Sequence, residues 1–372
     1  MVTPPPADPS LVVLHRWTDV NPNENGLADY HDPFGGAART WEYARWTGEE
    51  RDIGFPATEL VPSWTASTPP GTWLEIALQA RTVSGDLTKW YVMGHWAESD
   101  RDIHRTSLPG QGDEDGDVAV DTFVATRPVV AYRLRCTLYG VGARVHRAGV
   151  MASALPSLPA VPVSPPGEAR AVELDVPRHS QKVHAGHFPE WDDGGENWCA
   201  PASMSMVLAY WKRGPDADAL SWVSPGDPCP AVDHAARDMY DHSYQGTGNW
   251  PFGVAYAGRY GLEGFVTRLR SLTELERLVR AGIPVVTSQS FRDHELPGSG
   301  YSTGGHIMVV IGFTADGDVI ANDPAAPDDA TVRRVYPRAA FENVWLRKSG
   351  SGGIVHIVHP PGTVLPPSDG NW

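Results

Sequence analysis

Cys199 stands in the run Asn-Trp-Cys-Ala-Pro-Ala-Ser, with Pro201 just inside the start of an apolar segment. Proline there pre-sets a first helical turn. The spacing predicts a helix over 201–212, with Met204, Leu208 and Trp211 along one stripe. A cysteine at a helix start meets unpaired amides and the positive end of the helix dipole, and both favour thiolate over thiol. The chemistry this offers is nucleophilic attack on a carbonyl. Taken alone, the same residue also reads as a small apolar side chain buried in the first turn. A nucleophilic thiol needs a base, and His306 is the candidate. It follows Gly304-Gly305, which leave room for a close approach, and it opens a strongly apolar strand. The runs HIMVVIGF and VIAND predict a hairpin around Asp316-Gly317. That turn lies near the midpoint between His306 and Asp323, so both side chains belong to the open end of the hairpin. Asp323 can then accept from one imidazole nitrogen and leave the other facing the thiol. Pro324 ends the strand directly afterwards.

The segments DVPRHSQ, NWCAPASMSMVLAYW, GGHIMVVIGF and VIANDPAA, taken in that order, resemble the papain-like cysteine peptidases of the bacteriocin-processing type, the thirty-ninth cysteine-peptidase family, in a stand-alone actinobacterial branch. The resemblance spans about residues 172 to 360. It implies a papain-like peptidase domain with Cys199 as nucleophile, His306 as general base and Asp323 as the group that orients the base. Gln181 resembles the oxyanion-hole side chain. The family glutamine usually lies a handful of residues before the cysteine, whereas Gln181 is 18 positions upstream (199 minus 181), across the insertion HAGHFPEWDDGGEN. Asn197 is nearer and carries the same amide donor, but VPRHSQ matches the family's lead-in strand and favours Gln181. The implied reaction is hydrolysis of a peptide or amide bond through a thioester, on a peptide or protein substrate, with no cofactor and no metal.

These residues must be carried by an α+β scaffold. In the first half, TWLEIALQAR alternates Leu74, Ile76, Leu78 and Ala80 against Glu75, Gln79 and Arg81, the period-2 pattern of a half-buried strand. An SGDL turn and the run from Lys89 complete a hairpin, and Val118 to Gly140 adds two or three strands. An antiparallel β-sandwich, jelly-roll-like, is expected over residues 1–155. A proline-rich connection is expected over 156–170, and the papain-like domain over 171–372. Within the latter, helices are expected at 250–261, opened by Pro251 and stopped by Gly261, and at 272–282, capped by Thr273 with Glu276. The run IPVVTSQSF after them reads as a buried strand.

The bulk properties narrow the partners. Acidic side chains outnumber basic ones, 45 to 30, for a net charge of -15 over 372 residues, which argues against nucleic acid and against an anionic membrane surface. No apolar run is long enough to span a bilayer. The start MVTPPPADPS has neither a basic nor an apolar leader region, so the expectation is a cytoplasmic protein, or a secreted one if a leader has been trimmed. Neither membrane helices nor a GxxxxGK[ST] loop accompany the peptidase signature, so a leader peptidase fused to an exporter is not supported. Cys136, Cys199 and Cys229 are too few for a disulfide scaffold, and an odd count leaves at least one thiol free. The 14 tryptophans divide evenly about residue 160 and read as core packing in both halves. His184 and His187 with Glu190, Asp192 and Asp193 have a metal-like density, but no further Cys or His completes a zinc pattern, and a polar rim loop over the cleft is the preferred reading. The calcium-like run Asp113–Asp117 lacks a correctly placed glycine and glutamate and reads as a solvated turn. Two alternatives stay open: acyl transfer to an amine, as in transglutaminase-like proteins, and a non-catalytic glycan- or protein-binding protein with a decayed peptidase fold.

Overall fold

The computed structural model of the protein describes residues 11–156 and 161–372. The starting run, expected to carry no secretion signal, and residues 157–160 of the proline-rich connection lie outside the described residues. Short runs of β-branched and aromatic residues between turn clusters form nine strands among the described residues of the first half: β1 (Leu11–Trp17), β2 (Glu24–Tyr30), β3 (Arg39–Thr47), β4 (Arg51–Ser67), β5 (Trp73–Thr82), β6 (Tyr91–Trp96), β7 (Gly116–Ala119), β8 (Thr122–Tyr139) and β9 (Arg144–Ala154). They join in the order β1-β9-β4-β8-β3-β2, with β5 on β6 and β8, and β7 on β8. The long strands β4 and β8 serve different neighbours along their length. β8 meets β7 and β4 near Phe123–Val124, and β3 and β5 near Cys136–Tyr139. Register breaks in β4 let it bend between these partners. The expected hairpin is present, with Leu74 opposite Trp96 and Leu78 opposite Tyr91. Leu74, Ile76, Leu78 and Ala80 are buried as the alternation requires, alongside Trp64, Trp96, Phe123 and Tyr132.

The second half holds β10 (Val172–Glu173), α1 (Cys199–Tyr210), α2 (Pro230–Met239), α3 (Trp250–Arg259), β11 (Glu263–Arg268), α4 (Leu272–Arg280), β12 (Val285–Phe291), β13 (Thr303–Phe313), β14 (Val319–Asn322), β15 (Arg333–Tyr336), α5 (Arg338–Leu346) and β16 (Ile354–His359). The strands form one antiparallel sheet in the order β11-β16-β12-β13-β14-β15, with β10 alongside β13. The unbroken apolar run in β13 follows from burial on both faces. Ile307, Val309 and Ile311 join the core of α1, α2 and α3, whereas Met308 and Val310 join that of α4 and α5. The architecture is α+β.

Two expectations are corrected. Helix α1 begins at Cys199 with Trp198 before it, two residues earlier than the spacing predicts, and residues 200 to 208 are all buried in place of a single stripe. Helices α2 and α3 and the sheet surround it, so after the partly exposed Cys199 no side of its first two turns faces water. Helix α4 is capped by Ser271, which accepts from the Glu274 amide at 3.1 Å, and not by Thr273. Both Ser271/Glu274 and Thr273/Glu276 have capping-box spacing, and Glu276 is committed elsewhere. It accepts from the Gly167 and Ala169 amides and pairs with Arg338, tying down the end of the proline-rich connection.

The two halves share a buried contact. Phe252 of α3 packs against Trp64 and Trp96, with ring centroids 6.2 and 5.3 Å away. Gly258 lies so close to β4 that a Cβ there would come within 2.6 Å of Thr65. Polar links cross as well. The Val266 amide donates to Ser63 Oγ at 3.1 Å, buried Arg268 pairs with Glu59 and donates to Ser153 Oγ, and the Leu14 amide donates to the Gly370 carbonyl at 2.9 Å.

Candidate active site

Cys199 is the first residue of α1 and is partly exposed, so its sulfur lies among the unpaired amides of the helix start. His306 lies near the start of β13, where its partner across the sheet is Gln289 of β12. On the other side, β13 and β14 pair Val309 with Asn322, with a bulge after Val310. Continued by one residue, that register sets Asp323 across from Met308, two positions along β13 from His306, and His306 Nε2 lies 2.8 Å from Asp323 Oδ1. Cys199 lines the same cleft as His306 and is close enough to act on the charge of its imidazole. The three expected residues therefore meet, although 107 positions separate the cysteine from the histidine (306 minus 199).

The electrostatics of this group are those of an ion pair. Burial by itself would lower the His306 pKa, but the Asp323 charge and hydrogen bond, with Cys199 alongside, raise it to about 10. Burial likewise works to raise that of Asp323, and His306 together with hydrogen bonds from Tyr336 and the Ala325 amide lowers it to about 2. Two residues of this shell carry no signal in the sequence. Tyr301 donates to both Asp323 oxygens, at 3.1 and 2.9 Å, and Tyr336 donates to Oδ2. The Tyr301 ring also meets the His306 ring edge-on at 5.4 Å. With the Ala325 amide at 3.0 Å, the carboxylate has a full set of donors and one fixed orientation.

Gln181 is buried, just before the one-turn 3-10 helix Lys182–His184. Its amide nitrogen donates to the Glu196 carbonyl at 2.6 Å and its backbone N–H donates to the Pro324 carbonyl, next to Asp323. Gln181 lines the same cleft as Cys199. Asn197 also lines that cleft but is exposed and turns toward Asp192. The cleft, of about 730 Å³, is lined by Cys199, His306, Gln181 and Gly304–Gly305 among others. A Cβ on either glycine would meet nothing within 4 Å, so the space before His306 is open to a bound chain.

One wall of the cleft comes from the first half of the molecule, where Ala119, Val120, Asp121 and Thr122 form the β7–β8 turn. Val120 holds φ at +58°, an uncommon conformation for a β-branched residue. Asp121 accepts from the Trp250 amide at 2.8 Å. Burial pushes the Asp121 carboxyl up to about 7, and the nearby Asp241 adds to this. In the sequence these residues read only as part of a strand pair. Of the other expectations, Cys136 is buried on β8, Cys229 precedes α2, and neither is in a disulfide. The acidic turn at Asp113–Asp117 is tied by Tyr91, Lys89 and Arg127.

Comparison with known proteins gives two adjoining family matches, the Peptidase C39 N-terminal domain over residues 11–153 and the Peptidase C39 like family over residues 173–352. Among solved structures, the chain is 21% identical to a Bacillus anthracis protein described as C39-like, covering 50% of this chain and 96% of that one at a TM-score of 0.31. It is 13% identical to a chain of the infectious bursal disease virus Gx strain, covering 41% and 35% at a TM-score of 0.20. At scores this low the structural likenesses carry no argument about this chain. No curated protein matches it.

Proposed function

We propose that this chain, which belongs to the C39-like peptidase family, is a cysteine peptidase in which Cys199 is the nucleophile, His306 the general base and acid, and Asp323 the residue that orients His306. The observation that carries the reading is one imidazole held at 2.8 Å by a buried carboxylate, on the wall of an open cleft that a helix-start thiol also lines. The thiolate adds to a peptide carbonyl and forms a carbon–sulfur bond. The oxyanion is held by the Cys199 backbone N–H and the Gln181 amide. His306 gives its proton to the leaving nitrogen as the carbon–nitrogen bond breaks. It then takes a proton from water, which attacks the thioester and releases the acid and the thiolate. Asp323, fixed by Tyr301 and Tyr336, keeps Nε2 occupied so that the other ring nitrogen faces the sulfur. The β7–β8 turn shapes the substrate path, which gives the first domain a part in selecting the peptide. The substrate class is peptide or protein; the net charge of -15 opposes nucleic acid and anionic membrane.

The test is turnover of a peptide library by the full chain and by Cys199→Ala. Hydrolysis by the first, its loss in the second, and unchanged circular dichroism are expected. Retained hydrolysis in Cys199→Ala would overturn the reading, and so would incorporation of an added amine in place of water.

A further inference from the structure

A second group of histidines and carboxylate is built on the insertion that separates Gln181 from Cys199, whose first and fourth residues are His184 and His187. His184 and Asp233 are both fully buried, and His187 is a quarter exposed. Asp233 comes from the first turn of α2, so the sequence run around the two histidines does not contain it. One ligand atom from each residue lies within 4.8 Å of the others. His187 Nδ1 is 2.9 Å from Asp233 Oδ1, and His184 Nδ1 is 3.0 Å from Asp233 Oδ2. The second approach is close but misaligned. Both ring nitrogens of His184 and the Oδ2 of Asp233 are without a hydrogen-bond partner.

That combination is costly in a dry interior. Buried His356 is also unpartnered, but it has no carboxylate beside it, and burial alone holds it neutral with its pKa lowered to about 4. His184 differs in having a carboxylate and a second imidazole gathered around the same point. A cation bonded at about 2.0–2.2 Å to two imidazoles and a carboxylate, in the geometry of a three-ligand zinc site, brings its ligand atoms to separations of this order. Imidazole with carboxylate suits zinc-like transition ions better than calcium.

We infer that His184, His187 and Asp233 bind one divalent transition-metal ion of the zinc type, with water in the remaining position. The ion fastens the insertion to α2. His184 closes the insertion on itself, because its carbonyl accepts from the His187 and Gly195 amides, and its ring packs against Trp198 at 6.0 Å. Gln181 and Cys199 leave the two ends of this knot, so the ion is structural and holds the oxyanion side chain and the thiol in register.

The test uses the full chain carrying Cys199→Ala, which removes the other thiol–imidazole pair able to take zinc and keeps the result independent of the peptidase reading. The chelator-stripped protein is titrated with Co²⁺ and Zn²⁺. One Co²⁺ per chain with a visible absorption band, displacement by Zn²⁺, and a Tm raised by Zn²⁺ but not by Ca²⁺ are expected. On the same background His187→Asn, at a partly exposed residue and so tolerable to the fold, weakens Co²⁺ binding at least about tenfold and abolishes the Zn²⁺ rise in Tm. No binding of either ion at 100-fold molar excess overturns the proposal. So does equal affinity in the His187→Asn protein, or a Tm response to Ca²⁺ alone.

Discussion

Two clusters of histidine and aspartate flank the thiol, one built on the insertion before Cys199 and one around His306, and they are finished differently. The Asp323 carboxylate takes four donors, the His306 imidazole among them, although the side chains of Gln289 and Gln181 beside it keep unpartnered atoms. Around His184 and Asp233 three buried polar atoms have none. A satisfied cluster holds one proton arrangement and one geometry, as acid–base work requires. An unsatisfied one, with its lone pairs converging, is built for something that arrives from outside. Histidine and aspartate are the same in both, and the difference lies in what the neighbouring strands and helices bring to them.

The contrast can be broken at several points. The largest effect is expected at the satisfied cluster, where Asp323→Asn should lower kcat by about 10²–10⁴-fold by freeing the imidazole to turn and lose its charge partner. It should also move the alkaline limit of activity to lower pH. With Asp323 in place His306 stays charged up to about pH 10, and without that carboxylate burial alone acts on it. A pH–rate profile with an unmoved alkaline limb would show that Asp323 does not set the His306 charge. Gln181→Ala should cost about 10²–10³-fold in kcat, whereas Asn197→Ala should leave kcat within a few-fold; the reverse order would transfer the oxyanion role to Asn197.

The smallest effect is expected at a third carboxylate, Asp121, which is buried and accepts from the Trp250 amide and the Thr122 hydroxyl. Its pKa is raised from the ordinary carboxylate value to about 7, so the folded protein holds a proton there that the unfolded chain has released. The contribution to stability is fully present below about pH 4 and is lost as the pH rises through about 7, a change on the order of a few kcal/mol. Asp121→Asn should flatten that fall, with a Tm gain at pH 8 exceeding any at pH 5. Equal gains at both values would mean that the group does not titrate in this range. For comparison, Asp323 contributes in the opposite sense, its stabilisation lost only as the pH falls through about 2.

Much of the site was legible because it is built from local patterns. The run around Cys199 placed a helix start, and the alternation and turn around Asp316-Gly317 placed His306 and Asp323 near one end of a hairpin. A hairpin register follows from the turn, so this pairing could be reasoned out from a short stretch of chain. The extent of α1 burial could not, because it depends on α2, α3 and the sheet, which arrive from elsewhere in the chain. The cap of α4 was misread because two serine/threonine–glutamate pairs had equal spacing, and only the proline-rich connection shows that Glu276 is occupied. Tyr301 and Tyr336 had no signal either, since a tyrosine hydroxyl acquires a partner only when distant strands are brought together.

By itself the amino-acid order determined the element types, the antiparallel character of both halves and the identity of the thiol, imidazole and carboxylate that could act together, because period, turn chemistry and helix-start chemistry are properties of neighbouring residues. Tertiary structure decided which polar groups would be satisfied and which left open. It brought Asp233 to His184, Tyr301 and Tyr336 to Asp323, and the Ala119–Thr122 turn to the cleft. Those choices rest on contacts across tens to hundreds of positions, where burial removes water as a partner and each polar atom must find what the fold supplies.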